Sequence, residues 1–297
     1  MDWDDLKIAH AIARHGSLSA AARALGSTQP TVGRRLNALE QRIGAKLFER
    51  EAGGLIPGPL CRMLLETLDG MDELAQAVDR RIAARDTGLK GTITVTSLAW
   101  FGDDVLSPLL ARFCVQHPDL TIDLINDPRR FNLSRREADI ALRIGHFDKG
   151  DLVERKVADV SYGLYASESY LAKHGRPDFS KKGLGHHLVT LSPSPTRVVH
   201  MEWLKAMLPR ASILLRTNGV QSHLAAAEAG VAMAALPRVT GDGRPDILRL
   251  KTPIPGPSQP VKIGVHADLR DTPRIRMLID YLVRELKLRA RALNPDP

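Results

Sequence analysis

The chain has 297 residues, of which 43% are hydrophobic and 26% are charged, a composition typical of a well-packed globular protein with two or three units. No apolar run approaches the roughly 18 residues that a membrane helix needs, so we expect no membrane partner. The acidic start is unlike a signal peptide, and the widely separated Cys61 and Cys114 indicate no disulfide framework, which together predict a cytoplasmic protein. The net charge of +8 suits a polyanionic partner, and it equally suits a generically basic protein.

A pair of helices with a tight break between them is predicted near the N-terminus, after a first helix over 2–15. The first of the pair covers 17–25, and Gly26 ends it because glycine readily takes a left-handed backbone. Thr28 is the candidate N-cap of the second helix, and Pro30 falls in its first turn, where a missing N–H costs nothing.

The second helix of this pair is predicted to have one apolar and one polar face. Val32, Leu36 and Leu39 recur at helical spacing and should face inward. The other face offers donors for base edges, cations for phosphates and a glycine that permits close approach to a DNA major groove. These outward positions are Gln29, Thr31, Gly33, Arg34, Arg35 and Asn37. Taken alone, the pattern fits an ordinary helical hairpin with a solvated basic helix equally well.

A wing of two short extended pieces is predicted over 45–56, with its turn at 51–54. Leu47 and Phe48 should fill the small core beneath it. Arg50 has two interpretations of equal weight, a contact to a phosphate beside the groove or a surface ion pair.

The longest helical pattern of the chain covers 60–84, with apolar residues at spacings of three and four and no proline. About 25 residues would make a helix about 37 Å long. A small winged domain offers no evident cover for the apolar stripe, which favours pairing with the same helix of a second copy. Packing on the next domain is the alternative. The stripe consists of Leu64, Leu65, Leu68, Met71, Leu74, Ala75 and Val78.

After a hinge-like segment at 85–91, short strands alternate with helices, as in an α/β domain. A second subdomain is predicted to begin near Ser161, and the last helix, from Thr272, to return to the first subdomain. Strands are predicted over 92–96, 120–125, 138–144, 152–158, 162–166, 189–191, 212–217, 247–250 and 261–265. Helices are predicted from Asp103 or Asp104, from Ser169, and over 201–207 and 220–229.

A fixed series of residues runs through the first sixty positions. In order, it contains Gly16-Ser17-Leu18, Ala21-Ala22, Leu25, Thr28-Gln29-Pro30-Thr31-Val32, Leu39-Glu40, Ile43-Gly44, Leu47-Phe48 and Arg50. This series resembles the DNA-binding domain of LysR-type transcriptional regulators. Three features depart from the family pattern: Gly33 replaces a serine, 57–61 replaces the closing element, and Ala9 stands where an aromatic residue is usual.

The later part of the chain carries weaker signals that resemble the effector-binding domain of the same family. They are Gly91 to Val95, Phe113 with His117-Pro118, 138–141, Tyr170-Leu171 and 227–237. The resemblance implies a multidomain chain: an all-α winged helix-turn-helix with a long linker helix, then an α/β two-lobed domain like type 2 periplasmic binding proteins. The implied domains are 1–58 for DNA binding, 59–88 for the linker helix and hinge, and 89–297 for the effector, with lobe I at 91–160 and 266–297 and lobe II at 161–265.

The resemblance further implies a transcriptional regulator that binds double-stranded operator DNA as a homodimer or homotetramer, under the control of a small-molecule effector. Contact with RNA polymerase is left open. Gln29 and Arg34 lead as readers of base edges, and Arg35, Arg50 and Thr31 lead for phosphates. The full set of DNA-binding candidates is Ser17, Thr28, Gln29, Pro30, Thr31, Gly33, Arg34, Arg35, Asn37 and Arg50.

The effector is expected beyond the carboxyl ends of the α/β strands, where helix N-termini suit anions. Ser97 leads because the resemblance implies that its hydroxyl bonds a carboxylate, and a helix cap is the alternative. Trp100 is either a stacking platform for an aromatic effector or a core residue, and Arg129 either complements an anion or lies in solvent. The candidates are Ser97, Leu98, Ala99, Trp100, Asp127, Arg129, Gly145, His146, Ser192, Thr217 and Asn218.

Two rival functions are weighed against a regulator. One is a solute-binding protein with an incidental helical N-terminus, which the lack of a signal peptide disfavours. The other is an enzyme on the two-lobed fold, but the sequence contains no GxSxG, P-loop or dinucleotide-binding glycine pattern. His186-His187 has no partner motif at metal spacing. We therefore expect no enzyme activity, no metal and no cofactor.

Overall fold

The computed structural model describes residues 2–51, 54–84, 89–126, 138–145, 147, 152–193 and 197–295. The chain divides into two compact units after Ile82. The first unit contains α1 Trp3–His15, α2 Leu18–Ala24, α3 Gln29–Ile43, β1 Phe48–Glu51, β2 Gly54–Pro57 and most of α4 Pro59–Ala84. This element order is the winged helix-turn-helix and long helix that the sequence predicts.

The helices of the first unit begin and end at residues that the sequence marks. Ser17 caps α2 by accepting a hydrogen bond from the Ala20 amide at 3.2 Å. Gly16 and Gly44 follow α1 and α3 in the left-handed region, where glycine has no side-chain penalty. Thr28 occupies the N-cap of α3, although its side chain makes no capping bond and its hydroxyl lies 2.8 Å from that of Thr31.

The predicted wing is an antiparallel hairpin in which Phe48 pairs with Pro57 and Glu51 with Gly54. Gly54 has φ 131°, and a Cβ there would lie 2.7 Å from the Gly16 carbonyl oxygen. Only glycine therefore fits where the hairpin passes the turn between α1 and α2. The Leu55 amide, which donates to that carbonyl at 3.1 Å, fixes the position of the hairpin.

The long helix α4 has an apolar stripe that is covered along its first turns and exposed farther on. Cys61 and Leu68 are buried, and Leu64 and Leu65 pack on the core formed by α1–α3 and the wing. Asp69 anchors this half through His10 at 2.7 Å. The expectation that the winged domain leaves the whole stripe uncovered is therefore wrong for the first half. Farther along, Met71, Leu74 and Val78 are 37%, 71% and 58% exposed.

The second unit is built on one mixed sheet with strand order β4-β3-β5-β11-β6-β9-β7-β8, and β10 also pairs with β6. Its strands are β3 Gly91–Ser97, β4 Leu120–Asn126, β5 Ile140–Ile144, β6 Leu152–Ser167, β7 His187–Leu191, β8 Ser212–Thr217, β9 Met233–Pro237, β10 Ile247–Leu250 and β11 Ser258–His266. Its helices are α5 Ala99–Phe101, α6 Ser107–Gln116, α7 Glu168–His174, α8 Val199–Met207, α9 Val220–Glu228, α10 Arg238–Gly241, α11 Pro273–Leu288 and α12 Ala290–Leu293.

The strand β6 corrects the expectation of two separate strands at 152–158 and 162–166. It runs unbroken for 16 residues and changes partners on the way. Leu152 to Ser161 pair with β11, whereas Tyr162 to Ser167 pair with β9 and β10. The change of partner falls at the predicted start of lobe II, and the lobe boundary itself stays a prediction.

The connection after β3 is shorter than expected, because helical structure begins at Ala99 rather than at the predicted Asp103 or Asp104. A π-helical turn at Gly102–Leu106 links α5 to α6. A Cβ at Gly102 would lie 1.8 Å from the Asn126 side-chain oxygen, so glycine lets the end of β4 approach this turn. Insertions of this kind are frequent at functional sites.

The last long helix packs on the first part of the α/β unit, as predicted. The Tyr281 hydroxyl donates to the Leu109 carbonyl of α6 at 2.9 Å, and the rings of Phe113 and Tyr281 are 5.1 Å apart. Leu278, Leu282 and Leu286 are fully buried in the same core. Across the described part of the chain, the helices include none with the length and apolar character to cross a lipid bilayer.

Candidate nucleic-acid interface and effector site

The helix α3 has one buried and one open face, as the sequence predicts. Val32, Leu36 and Leu39 are buried, whereas Gln29, Arg34 and Asn37 are exposed. The side-chain oxygen of Gln29 accepts a hydrogen bond from the Ser19 hydroxyl at 3.0 Å. That contact orients the amide and leaves its NH2 group as a donor, the group that can pair with a base edge.

The two arginines on α3 have different environments. Arg34 is exposed and makes no ion pair within the described residues. Arg35 is only half-exposed, and its guanidinium donates to the Asp5 carboxylate at 3.0 Å, while Arg42 binds the same carboxylate at 2.9 Å. The outward orientation expected for Arg35 is therefore wrong, since it braces α3 against α1. Its contact with phosphate stays a prediction.

The other candidates of this interface fall into two groups. Ser17 is half-buried and occupied in capping α2, so its hydroxyl holds a helix end in place. Gly33 is half-buried, and a Cβ there would meet only the Leu18 side chain, at an ordinary 3.6 Å. Thr28, Pro30 and Thr31 lie at the start of α3 in exposed or half-buried positions.

The wing is joined to the end of α3 by a buried carboxylate that the sequence reasoning did not single out as functional. Glu40 is 5% exposed and accepts hydrogen bonds from the Leu47 amide at 2.8 Å, the Phe48 amide at 3.3 Å and the Lys46 ammonium at 2.6 Å. Burial alone would raise the pKa of Glu40, but these three donors outweigh it and lower the pKa. Arg50 lies on β1, exposed and without an ion pair among the described residues, and both interpretations of its role stay predictions.

The effector candidates after β3 are mostly enclosed. Ser97 is fully buried, and its hydroxyl has no hydrogen-bond partner among the described residues. Trp100 is also buried, with its ring 5.4 Å from that of Phe101 in an edge-to-face contact, so it is part of the core. Leu98 and Ala99 are half-buried beside them.

Arg143, a cation on the strand next to β3, was not identified from the sequence. Arg143 on β5 donates to the Thr96 hydroxyl at 3.1 Å, one residue before Ser97. The available signal was an arginine inside the otherwise apolar strand Ile140–Ile144. Successive side chains of a strand point to opposite faces of the sheet, so this contact places Arg143 on the face of Thr96 rather than beside the Ser97 hydroxyl.

The candidates at the other end of the sheet lie together. The Ser192 amide donates to the Thr217 carbonyl at 2.8 Å, and the Thr217 hydroxyl accepts from the Gly219 amide at 3.2 Å, next to the exposed Asn218.

Gly145 has φ 95° and donates its amide to the Pro260 carbonyl. The candidates Asp127, Arg129 and His146 lie outside the described residues.

One carboxylate connects the helix after β3 to the second half of the sheet. Asp104 accepts hydrogen bonds from the Gln221 amide of α9 at 3.3 Å and from the Thr240 hydroxyl of α10 at 3.1 Å. Because α9 begins just after Thr217 and Asn218, this contact ties together the two strand-end regions where effector candidates lie.

Two buried histidines flank the same region, and the sequence reasoning missed both. The His200 ring stacks on Tyr162 with centroids 4.1 Å apart, and burial lowers the pKa of His200 to about 4. Burial also lowers the pKa of His223, which is 1% exposed. Both rings are therefore neutral near pH 7. Within the described residues, no group of three or more metal-ligating side chains forms.

An exposed recognition helix with a wing, followed by an α/β unit with polar groups at its strand ends, defines a DNA-binding regulator with a ligand-binding domain. Comparison with known families agrees with this class. Residues 3–62 match the model of the bacterial regulatory helix-turn-helix protein, lysR family, and residues 86–287 match the LysR substrate binding domain. The chain belongs to the LysR family of transcriptional regulators, and it is a DNA-binding transcriptional regulator with an effector-binding domain.

Individual relatives extend over nearly the whole chain. The Mau operon transcriptional activator of Paracoccus denitrificans is 26% identical over 287 residues, which are 95% of each protein. The full-length Vibrio cholerae virulence activator AphB superimposes with a TM-score of 0.64 at 18% identity, over 96% of this chain and 99% of that one. The regulator CbnR, solved with its target DNA, superimposes with a TM-score of 0.58 at 20% identity, over 96% of this chain and 100% of that one. These relatives are named as regulators, and the two structures share the fold.

Proposed function

We propose that α3 reads an operator through Gln29 and Arg34, while Thr31 and Arg50 contact the flanking phosphates. The observation that carries the proposal is that Gln29 and Arg34 are exposed on α3, while Val32, Leu36 and Leu39 of the same helix are buried. Free guanidinium and amide groups match the acceptor patterns of base edges in the major groove. The related CbnR was solved with its target DNA, which supports the same use of the fold here.

The exposed second half of α4 supports assembly of two copies through this helix. Met71, Leu74 and Val78 recur at spacings of three and four, the pattern of a helix-pairing seam, and all three are exposed. A two-fold dimer would present two α3 helices to a two-fold operator with half-sites about one turn apart. Tetramers built from such dimers, and contact with RNA polymerase, belong to the same proposal.

A small anionic effector is proposed to bind at the strand ends near Ser97. The buried, unpartnered Ser97 hydroxyl at the carboxyl end of β3 supports a hydrogen-bonding ligand at this place. Asp104 joins the flanking helices to α9 and α10, so an effector that alters this contact would change the closure of the two lobes. The protein acts by binding in the cytoplasm, without converting the effector chemically and without a metal or cofactor.

Fluorescence anisotropy with the DNA upstream of the chain's own gene tests the proposal. We expect saturable binding by the natural chain, and binding weakened by Arg34→Ala. The matched control is Arg244→Ala, an exposed arginine in the second unit, which should bind as the natural chain does. Equal loss in both variants would show that binding reflects only the overall positive charge, and the assignment of α3 would be wrong.

A further inference from the structure

A groove in the second unit runs between α8 and the two last strands of the sheet, β7 and β8. It has a volume of about 440 Å³, within the range of small-molecule sites. Its lining residues all fall between Leu188 and Arg216. The groove does not include Ser97 to Trp100, although the effector candidate Ser192 is among its lining residues. It contains no residue of the proposed operator contacts.

The groove exists because β8 is the last strand of the sheet and its outer part is uncovered. The register between β7 and β8 slips by one residue, so Leu188 pairs with Ile213 and Val189 with Leu215. Ile213 consequently shares a sheet face with Leu188 and enters the groove, where it is 43% exposed. Across from it, α8 contributes Met201 and the buried Leu204. The floor of the groove is apolar.

The rim of the groove is positively charged. Its charged residues are Arg197, Glu202, Lys205 and Arg216. Arg197 and Glu202 are paired with each other at 3.3 Å. Lys205 and Arg216 are exposed and have no ion-pair partner among the described residues. Two cations without an ion-pair partner among the described residues thus border the apolar floor of the groove.

We propose that this groove binds an amphipathic carboxylate, a molecule with one anionic head and an aliphatic body of about eight to ten carbons. Lys205 and Arg216 would pair with the head, because ammonium and guanidinium groups bind carboxylates through charge-assisted hydrogen bonds. Leu188, Met201 and Ile213 would cover the body. A neutral lipid leaves the cations without a partner, and a cationic amphiphile meets two like charges.

Isothermal titration of the full chain with decanoate, below its micelle concentration, tests the proposal. Decanoate should bind, and decylamine of the same length should not. Octanoate should bind more weakly than decanoate, by about fourfold for each methylene removed from an apolar site. Binding of decylamine as tight as that of decanoate would overturn the proposal, because the charged rim would then have no role.

Substitutions locate the site. Lys205→Gln and Arg216→Gln should each weaken decanoate binding about tenfold, and Ile213→Ser should weaken it without changing the preference for an anion. Lys173→Gln, at an exposed lysine on α7, is the matched control and should bind normally. A loss of decanoate binding in Ser97→Ala, with none in Lys205→Gln, would move the ligand to the effector site and overturn the proposal.

Sedimentation of the same variants separates a small ligand from a second copy of the chain. The proposal expects unchanged sedimentation for Lys205→Gln, Arg216→Gln and Ile213→Ser in the absence of ligand. Smaller species in these variants would show that the groove is a contact between copies, and the assignment to a carboxylate would be overturned. This outcome is independent of whether the chain binds its operator through α3.

Discussion

Asp5 and Glu40 fix the geometry of the DNA-binding unit, each by binding several donors from another part of it. Asp5 holds Arg35 and Arg42, which joins α1 to α3, and hydrogen bonding from Arg35 is the main cause of its lowered pKa. Glu40 holds the start of β1 to the end of α3. The angle between the recognition helix and the wing therefore depends on one buried carboxylate.

Replacing Glu40 by glutamine should loosen the wing. The substitution removes the charge that Lys46 and two amides bind, at a cost of about 1–3 kcal/mol for a bond to a charged buried group. Hydrogen exchange of the Leu47 and Phe48 amides should speed up by at least tenfold at neutral pH. Glu66→Gln, at an exposed position on α4, should leave that exchange unchanged.

The difference in amide exchange between the natural chain and Glu40→Gln should depend on pH. The pKa of Glu40 is lower in the folded chain than its ordinary value of 4.5, so its stabilising effect is complete above that value and is lost as the pH falls through the folded pKa. The difference in amide exchange between the natural chain and Glu40→Gln should vanish in acid. A difference that persists at low pH would mean that the variant acts through packing rather than charge.

Arg34 and Arg50 should differ in the kind of binding that they support. Arg34→Ala should reduce the binding free energy by about 1–3 kcal/mol and relax the preference for one base pair. Arg50→Ala should weaken binding to all DNA sequences equally and lower the slope of log affinity against log salt concentration by about one. Anisotropy titrations over several salt concentrations, with matched and mismatched operators, measure both effects. If Arg34→Ala weakened every sequence equally, Arg34 would be a phosphate contact.

Gly33 is a position where two roles of glycine can be separated. Alanine there meets only the Leu18 side chain at 3.6 Å, and glycine in a helix interior costs about 1 kcal/mol relative to alanine. Gly33→Ala should therefore raise the unfolding temperature of the first unit, as measured by calorimetry. A simultaneous loss of operator affinity would show that close approach to DNA requires the glycine, whereas unchanged affinity would remove Gly33 from the interface.

At the scale of whole elements, local patterns predicted the DNA-binding unit well. The capping residues and the apolar spacing that define these elements are local signals, each contained within a few positions of the sequence. The bounds of α1, α2, α3 and the wing were therefore predicted closely. The pairing of Arg35 with Asp5 joins residues 30 apart, which no local pattern reveals. In the α/β unit, β6 was predicted as two strands. Its continuity past Ser161 depends on pairing with β11 and then β9, which are distant in sequence and cannot be read from the strand itself.

The effector candidates show the same limit. The carboxyl ends of β3, β4, β7 and β8 were predicted to within one residue. Ser192 and Thr217 lie side by side because β7 and β8 are parallel neighbours. Arg143, Asp104, His200 and His223 were missed, since each acquires its place from strands and helices distant in sequence. Burial of Trp100 depends on helical structure beginning at Ala99, where a loop was predicted.

The exposed part of α4 gives a prediction for assembly. Leu74→Arg places a charge in the middle of the proposed seam and should shift the chain toward monomers in sedimentation experiments, because unpaired charges in an apolar contact are costly. Glu73→Arg changes the next residue, outside the seam, and should leave the assembly intact. Intact assemblies in Leu74→Arg would place the contact between copies elsewhere.

At the scale of the molecule, the buried His200 should make the second unit sensitive to mild acid. Its folded pKa of about 4 lies below the ordinary value of 6.5, so between these values the unfolded chain binds a proton that the folded chain does not. Stability should fall as the pH drops from about 6.5 to 4, by up to about 1.4 kcal/mol per pH unit. Urea unfolding followed at several pH values should show a shallower slope for His200→Gln, and an equal slope would assign the acid sensitivity to other groups.

The unbroken course of β6 limits how the α/β unit can be dissected in the laboratory. Fragments cut at the predicted lobe boundary would split one strand, leaving 152–161 in one piece and 162–167 in the other. Each piece would then expose a sheet edge that is paired in the intact chain, which invites aggregation. Truncation products for ligand screening are therefore best made to retain 89–297 as a single polypeptide.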